Sequence, residues 1–247
     1  MTDVFNAAVC LKAGGVIAHA TEGVWGLACD PFNREAVDRI LTIKGREAAK
    51  GMLLIGASSH AFENAMNAME PDARARVEAS WPGHVTWLLP GDAYPQSIRG
   101  QYQTVACRVP DHSQARDIAA AFGGPMVSTS LNRAGELPVL QYAQALALFD
   151  TDVDLVVPGQ TAGYTGASAV TGLDGTVVRE APSRGSLRIG WEWREILSLI
   201  LCRQTFIKLL LSRWATTWST NATYSIGMTL GPARQLFSNN KEVLALT

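Results

Sequence analysis

Apolar positions in the first part of the chain follow two different patterns. At 33–44 they recur every three or four positions with charged side chains between them, which predicts an amphipathic helix. Short apolar runs at 16–20 and 52–56 flank this helix and predict buried strands. The segment 21–32 contains two glycines and a proline and is predicted to be a loop. The order strand, loop, helix and strand is typical of an α/β protein.

The same criteria predict the other elements up to residue 181. Helices are predicted at 3–14, 60–69, 71–79, 111–122 and 141–150, and further strands at 86–89, 104–110, 125–132, 153–157 and 176–179. The glycine-containing segment 158–166 is predicted to be a loop. Helices and strands are therefore mixed throughout this part of the chain, which supports the α/β class.

Charge is distributed unevenly along the 247 residues. Residues 1–181 carry 13 basic and 19 acidic side chains, a net charge of −6, whereas residues 182–247 carry 8 and 3, a net charge of +5. The total of −1 gives no overall positive field of the kind that attracts nucleic acid. The four cysteines are far apart and form no Cys-x-x-Cys pair, which argues against a zinc ribbon or a dithiol redox site.

Two segments bear on the location of the protein. The N-terminus has the acidic Asp3 and no long apolar core, unlike a secretory signal peptide, so we expect a cytoplasmic protein. The segment 196–211 is apolar, but it is short and contains Arg203 and Lys208. No membrane span is therefore predicted there.

Three cations, Lys44, Arg46 and Lys50, lie at the end of the predicted helix and before the next strand. Basic residues at a helix C-terminus often only complement the helix dipole on a solvated face. They also suit phosphate, because the guanidinium offers a fork of donors and the ammonium a mobile point charge. On the residues alone, both interpretations stay open.

Hydroxyl and amide side chains end a later strand, in the run Ser-Thr-Ser-Leu-Asn at 128–132. Such runs usually form turns, but each polar member also exchanges hydrogen bonds in a way that suits a nucleotide. The chain contains neither a Walker A loop nor a Gly-x-Gly-x-x-Gly motif. A nucleotide would therefore be held by side-chain cations and strand-end hydroxyls.

Several short motifs, in this order, resemble the YrdC family, the TsaC-type threonylcarbamoyl-AMP synthases. They are Thr21-Glu22 with Trp25-Gly26-Leu27, Lys44-Gly45-Arg46 with Lys50, Trp81-Pro82-Gly83 with Thr86, Ser128 to Asn132, and Thr176 to Arg179. The resemblance covers about residues 3–181 and then stops. It divides the chain into a YrdC-like domain at 1–181 and a C-terminal extension at 182–247, which we expect to be partly helical or disordered.

The chain departs from the family pattern at four positions. Ala20 and Ala167 each replace a proline, and Leu131 replaces a smaller alanine. Gly23 is the fourth departure. Because Gly23 and Leu131 fall near the expected substrate pocket, they keep open a substrate other than the family's, and the sequence does not decide whether they alter the choice of substrate.

The resemblance implies an open twisted mixed sheet flanked by helices, with a concave ligand cleft. It also implies synthesis of L-threonylcarbamoyladenylate from L-threonine, bicarbonate or carbon dioxide, and ATP, with release of pyrophosphate. The product would serve tRNA threonylcarbamoyladenosine modification through separate transfer proteins. ATP is then a substrate and magnesium the expected metal ion, for which the resemblance names no protein ligand.

The resemblance also assigns roles to individual residues. Catalysis falls to Lys44, Arg46 and Lys50. ATP binding falls to Arg46, Lys50, Thr104, Ser128, Ser130, Asn132 and Arg179, and threonine binding to Thr21, Arg108 and Ser168. His112 also matches a family position, and we interpret it as a helix-start residue rather than a catalyst.

Two other functions stay open. An RNA-binding protein would use the same basic cleft for a phosphodiester backbone, although residues 1–181 are net acidic and no aromatic residues interleave with the basic cluster. An enzyme of the same fold would transfer a carbamoyl group to a different acceptor, since fold alone does not determine function.

Overall fold

The structure is a computed structural model that describes residues 2–164 and 166–181. The predicted extension at 182–247, whether partly helical or disordered, lies outside the described residues, and the predicted domain boundary at residue 181 stays a prediction. In the described part of the chain, no helix is long and apolar enough to cross a membrane.

The described residues alternate between helices and short strands. The helices are α1 (Thr2–Lys12), α2 (Arg34–Lys44), α3 (Glu63–Met66), α4 (Pro71–Ala79), α5 (Gln96–Arg99), α6 (Ser113–Phe122) and α7 (Tyr142–Phe149), with single 3-10 turns at Ala48–Lys50 and Ser59–Phe62. The strands are β1 (Ile17–Ala20), β2 (Trp25–Ala28), β3 (Leu53–Ile55), β4 (Val85–Pro90), β5 (Thr104–Arg108), β6 (Met126–Val127), β7 (Thr129–Ser130), β8 (Leu155–Val156), β9 (Ala169–Gly172) and β10 (Val177–Arg179).

The strands form two mixed sheets. The first has the order β7-β2-β1-β8, with β1 antiparallel to β2 and parallel to β8. The second has the order β10-β9-β4-β5-β3-β6, with β5 antiparallel to β4 and parallel to β3. The predicted mixed α/β architecture is confirmed, with its strands divided between two sheets.

Strand β1 is buried on both faces. Ile17 belongs to a small apolar cluster with residues of α1 and α6, whereas its neighbour Ala18 belongs to the main core with α2. The two side chains point in opposite directions because successive residues of a strand face opposite sides. The polar residues that follow β1 are therefore held by a rigid, fully covered strand.

Helix α2 is confirmed almost to the residue. Asn33 Oδ1 accepts a hydrogen bond from Ala36 N at 3.1 Å, which caps the helix start. Gly45 adopts a left-handed φ of 59° and its N–H bonds to the last turn, so the helix ends at Lys44. These caps fix where the predicted cation cluster begins.

The loop prediction for 21–32 is wrong for residues 25–28, which form β2. This strand pairs with β1 on one side and β7 on the other. Gly26 lowers its intrinsic strand propensity, so the strand depends on tertiary pairing rather than on its own sequence. Strand β9 (Ala169–Gly172) and the short helix α5 were also not predicted.

Candidate functional site

Two cavities lie side by side and share a wall. The polar cavity is lined by Thr21, Val24, Gly26, Arg46, Gly51, Met52, Leu53, His84, Arg108, Ser128, Thr129, Ser130, Gly166, Ala167, Ser168 and Arg179. The apolar cavity is lined by Arg46, Lys50, Gly51, Met52, Leu53, Leu88, Ile98, Arg99, Tyr102, Thr104, Ala106, Val170, Val178 and Arg179. Because five residues line both cavities, they are two halves of one cleft.

The cleft brings together most of the residues assigned from the sequence. The polar cavity holds all three proposed threonine ligands together with Ser128 and Ser130, and the apolar cavity holds Lys50 and Thr104. Arg46 and Arg179 line both cavities, and we call these two side chains the cationic neck. Two assigned residues, Lys44 and Asn132, line neither cavity.

Lys44 is almost completely buried, and its ammonium is directed at the loop that follows β7. It donates to the backbone oxygen of Ser130, and to the backbone oxygen and Oδ1 of Asn132 at 3.0 Å each. Burial, with a smaller contribution from Arg46, lowers the pKa of Lys44 to about 8. Lys44 therefore anchors this loop to α2, and its contact with phosphate stays a prediction.

Four arginines line the cleft, namely Arg46, Arg99, Arg108 and Arg179. Burial lowers the pKa of Arg179, and the positive charges of Arg108 and Arg46 lower it further, so each of these two groups repels Arg179. Burial also lowers the pKa of Arg46, whose buried Nε has no hydrogen-bond partner among the described residues. Cations that are close together and incompletely paired create a favourable place for an anion.

A buried ion pair connects β5 to the turn after β1. Arg108 Nη1 donates to Glu22 Oε1 at 2.7 Å, with 6% of the arginine side chain and none of the glutamate exposed. Arg108 is therefore paired inside the protein, and its partner Glu22 was not among the residues assigned to the site from the sequence. A lone acid after one buried strand and a lone arginine in another are the signal that could have identified this pair.

The turn after β1 packs against the segment that precedes β9. Thr21 Oγ1 donates to Val24 O at 2.7 Å, which closes the turn. A Cβ on Gly23 would collide with the backbone oxygen of Gly166, so this position requires glycine. Gly23 is thus explained by a close approach of two backbone segments, and Gly166 lines the polar cavity.

The Trp-Pro-Gly signature supports one wall of the polar cavity. A cis peptide bond joins Trp81 and Pro82, and Gly83 N donates to Val109 O at 2.9 Å. The chain that follows brings His84 to the cavity wall, a residue that the sequence reasoning missed. Thr86, two residues later, is hydrogen-bonded to Ser168 Oγ at 2.8 Å.

Arg179 and Ser168 hold β10 and β9 together at the cleft. Arg179 donates to Ser168 O from Nη2 at 2.8 Å and from Nε at 3.2 Å. The guanidinium is therefore oriented by a backbone oxygen, which leaves its charge uncompensated by any carboxylate in the described contacts.

Two histidines near the cleft have structural contacts. His19 is completely buried, and burial lowers its pKa to about 4. The neutral ring has a hydrogen bond from Nδ1 to Ala20 O at 3.1 Å and a longer contact of 3.4 Å between Nε2 and Ser128 Oγ. His112 Nδ1 accepts from Ala115 N at 3.3 Å at the start of α6, which confirms it as a helix-start residue.

Leu131 does not line the cleft, near which the sequence placed it. Its side chain is fully buried in the main apolar core and does not line either cavity. Its backbone N donates to Trp25 O at 2.7 Å. The Leu131 side chain therefore packs in the core beside β2 and not in the ligand space.

The residues that line the two cavities include no Asp or Glu, so they do not fit a magnesium site held by protein carboxylates. Within 2–164 and 166–181, no group of three or more His, Cys, Asp or Glu side chains is placed to hold a metal ion. Magnesium in proteins is usually bound by one or two carboxylates together with substrate phosphates. Any such ion here would depend on the phosphates of a nucleotide.

Comparison with known proteins identifies relatives of this chain. Residues 9–181 match the Sua5/YciO/YrdC family, which is described as "Telomere recombination". The chain is 42% identical over 166 residues to a protein named threonylcarbamoyl-AMP synthase from Nitrosococcus oceani, covering 66% of this chain and 89% of that protein. A protein of the same name from Chromohalobacter salexigens is 41% identical over 172 residues, covering 69% and 92%.

Solved structures share the fold. The crystal structure of P. abyssi Sua5 complexed with L-threonine has a TM-score of 0.65 and 27% identity, covering 69% of this chain. The match spans about half of that protein, 51% of its chain. E. coli YciO, at 24% identity and a TM-score of 0.64, supports the fold alone and covers 74% of this chain and 91% of its own. The chain belongs to the Sua5/YciO/YrdC family.

Proposed function

We propose that this protein synthesises L-threonylcarbamoyladenylate from L-threonine, bicarbonate or carbon dioxide, and ATP, with release of pyrophosphate. Relatives about 40% identical carry the name threonylcarbamoyl-AMP synthase. The observation that supports the proposal most directly is the shape and charge of the cleft. A polar cavity and an apolar cavity meet at Arg46 and Arg179. This arrangement suits a reaction in which an amino-acid derivative in the polar cavity meets a nucleotide in the apolar one.

The polar cavity suits the amino acid. Arg108 would bind the carboxylate, because a guanidinium matches its two oxygens. Ser168 and Thr21 would contact the polar atoms around the amine and hydroxyl. The threonine complex of P. abyssi Sua5 supports threonine as the amino acid that binds.

The apolar cavity suits the base and ribose of ATP. Its walls include Leu88, Ile98 and Val170, with Lys50 and Thr104 as polar contacts. From there the phosphates would reach the cationic neck. Ligand pockets commonly combine such apolar walls with a few placed polar groups.

Ser128 and Ser130 lie on the other side of the neck from Lys50 and Thr104. We therefore place them at the reacting phosphate rather than at the base. Asn132 would act through Ser130, whose Oγ donates to Asn132 Oδ1 at 2.6 Å. Lys44 would keep this loop in place and add positive charge behind it.

The proposed reaction requires no covalent bond between the protein and a reactant. Threonine's amine, in its neutral form, takes up carbon dioxide and releases a proton to solvent, which gives a carbamate. A carbamate oxygen then attacks the α-phosphorus of ATP. The new P–O bond forms as the bond to pyrophosphate breaks. Arg46 and Arg179 would neutralise charge that develops on the phosphate oxygens, and the two cavities would align the reactants. The carbamate is already anionic, so the attack needs no general base.

The wider setting is part of the same proposal. Magnesium would enter with ATP, held by its phosphates, and the product would pass to separate proteins that modify tRNA. We place this reaction in the cytoplasm.

The direct test is pyrophosphate release from ATP by the full chain, with and without L-threonine and bicarbonate. We expect release that requires both co-substrates. If another amine replaces threonine, the enzyme uses a different acceptor. If no amine supports release and RNA binds with a steep salt dependence, the cleft serves RNA instead.

A further inference from the structure

Glu22 is the one acidic side chain that is fully buried in the described part of the chain. Its Oε1 accepts hydrogen bonds from Arg108 Nη1 and from Asp111 N, both at 2.7 Å. Burying an ionised carboxylate costs several kcal/mol unless it is paired and hydrogen-bonded. The guanidinium of Arg108 and the backbone N–H of Asp111 therefore compensate the cost of burying the Glu22 carboxylate.

The contact between the two side chains uses only one atom of each. Glu22 Oε2 and Arg108 Nε are both buried and have no hydrogen-bond partner among the described residues. A two-pronged pairing would occupy two donors of the guanidinium. The single contact holds the group in place and leaves donors for a second anion.

The positive charge of Arg108 also acts on other side chains of the cleft. It lines the polar cavity, and its charge contributes to the lowered pKa values of Arg179 and His84, after burial as the main cause in each case. Glu22 is fully buried and does not line that cavity, although its charge partly offsets the lowering of the His84 pKa. Of the two side chains, Arg108 alone lines the ligand space.

We propose that Glu22 is a positioning residue, which holds Arg108 so that its remaining donors face the carboxylate of the amino-acid substrate. This inference rests on the proposed function, because it assumes that an amino acid occupies the polar cavity. It adds to that function that Glu22 and Arg108 together select a substrate with a free α-carboxylate. Glu22 acts through Arg108 and touches no substrate atom.

The test measures binding of L-threonine and L-threoninol, which lacks the carboxylate, to the full chain by calorimetry without ATP. We expect the wild type to prefer threonine by about tenfold or more, the value of one charge-assisted hydrogen bond. Glu22→Gln should lose most of this preference. Glu78→Gln, the same change in an exposed ion pair with Arg74, should keep it.

A double-mutant cycle separates positioning from general damage. If Glu22 acts through Arg108, then Glu22→Gln combined with Arg108→Gln is no worse than Arg108→Gln alone. Additive losses would overturn the proposal. If Glu22→Gln does not fold, Glu22→Asp retains the charge but withdraws the carboxylate by one methylene, and it should also lose preference for threonine.

The outcomes also separate this inference from the proposed function. A wild type that prefers threonine but releases no pyrophosphate would contradict the synthase reaction and leave the positioning role intact. A wild type that binds both ligands equally, or Glu22 variants that fold and keep the full preference, would overturn the positioning role.

Discussion

Lys44 Nζ lies 3.0 Å from both the backbone oxygen and Oδ1 of Asn132. Asn132 in turn donates from Nδ2 to Glu136 O at 2.8 Å, so the last residue of α2 fixes the loop beyond β7. Ser130, which lines the polar cavity, lies within this network. The charge of Lys44 therefore bears on the cleft even though its side chain does not line it.

ATP affinity should fall as the pH rises through the pKa of Lys44, which is about 8. The neutral amine loses its positive charge and a donor to the loop, so we expect about tenfold weaker ATP binding at pH 9.5 than at pH 7.5. Calorimetry on the full chain measures this directly. Lys44→Arg stays charged over this range and should abolish the decline. The same decline in that variant would assign it to another group.

Removal of Arg46 should affect turnover far more than stability. Arg46 lines both cavities, and a preorganised cation at a developing charge is worth about 10²- to 10³-fold in kcat. We expect a loss of this size in pyrophosphate release by Arg46→Ala. Arg34→Ala, which removes an exposed arginine paired with Asp38, is the matched control. A folded Arg46→Ala enzyme with normal turnover would exclude a phosphate role for this residue.

Gly23→Ala should destabilise the protein and disturb the polar cavity together. The new Cβ would meet the backbone oxygen of Gly166, which has no flexible side chain to yield. Forced overpacking of this kind typically costs about 1–3 kcal/mol. Urea unfolding and threonine binding report the two effects. Gly124→Ala places its Cβ no closer than 4.0 Å to a neighbour, so that variant should behave like the wild type.

The sequence was most informative where local rules and tertiary structure agree. Helix α2 has an amphipathic pattern, a capping asparagine and a terminal glycine, and each of these acts within a few residues. Strand β2 has no such local signal. It becomes a strand because β1 and β7 offer backbone partners on both sides, which a single sequence does not reveal.

The candidate site shows the same difference between what local sequence predicts and what tertiary structure decides. The motifs predicted which residues gather at the cleft, but not which contacts they make inside the protein. The sequence assigned Lys44 to catalysis, and its ammonium contacts loop oxygens, so its contact with phosphate stays a prediction. The sequence placed Leu131 near the pocket, whereas that side chain fills the core. Both outcomes depend on side-chain direction, which motif spacing does not specify.

Stability should decline in mild acid because of His19. Its pKa is about 4 in the folded protein, against about 6.5 when exposed, since burial disfavours the charged ring. Below pH 6.5 the unfolded chain gains a proton that the folded chain does not, so the stability present at neutral pH is lost as the pH falls toward 4. This single group should remove about 2–3 kcal/mol between pH 7 and pH 4.5.

Urea unfolding at these two pH values, on the wild type and on His19→Gln, isolates the effect. The variant has no titrating group at this position, so its free energy of unfolding should fall by about 2–3 kcal/mol less than that of the wild type. His60→Gln changes an exposed imidazole that contacts Glu63 and should follow the wild type. Equal declines in the wild type and His19→Gln would mean that His19 is protonated in the folded protein, which its enclosure by the main chain and Ser128 argues against.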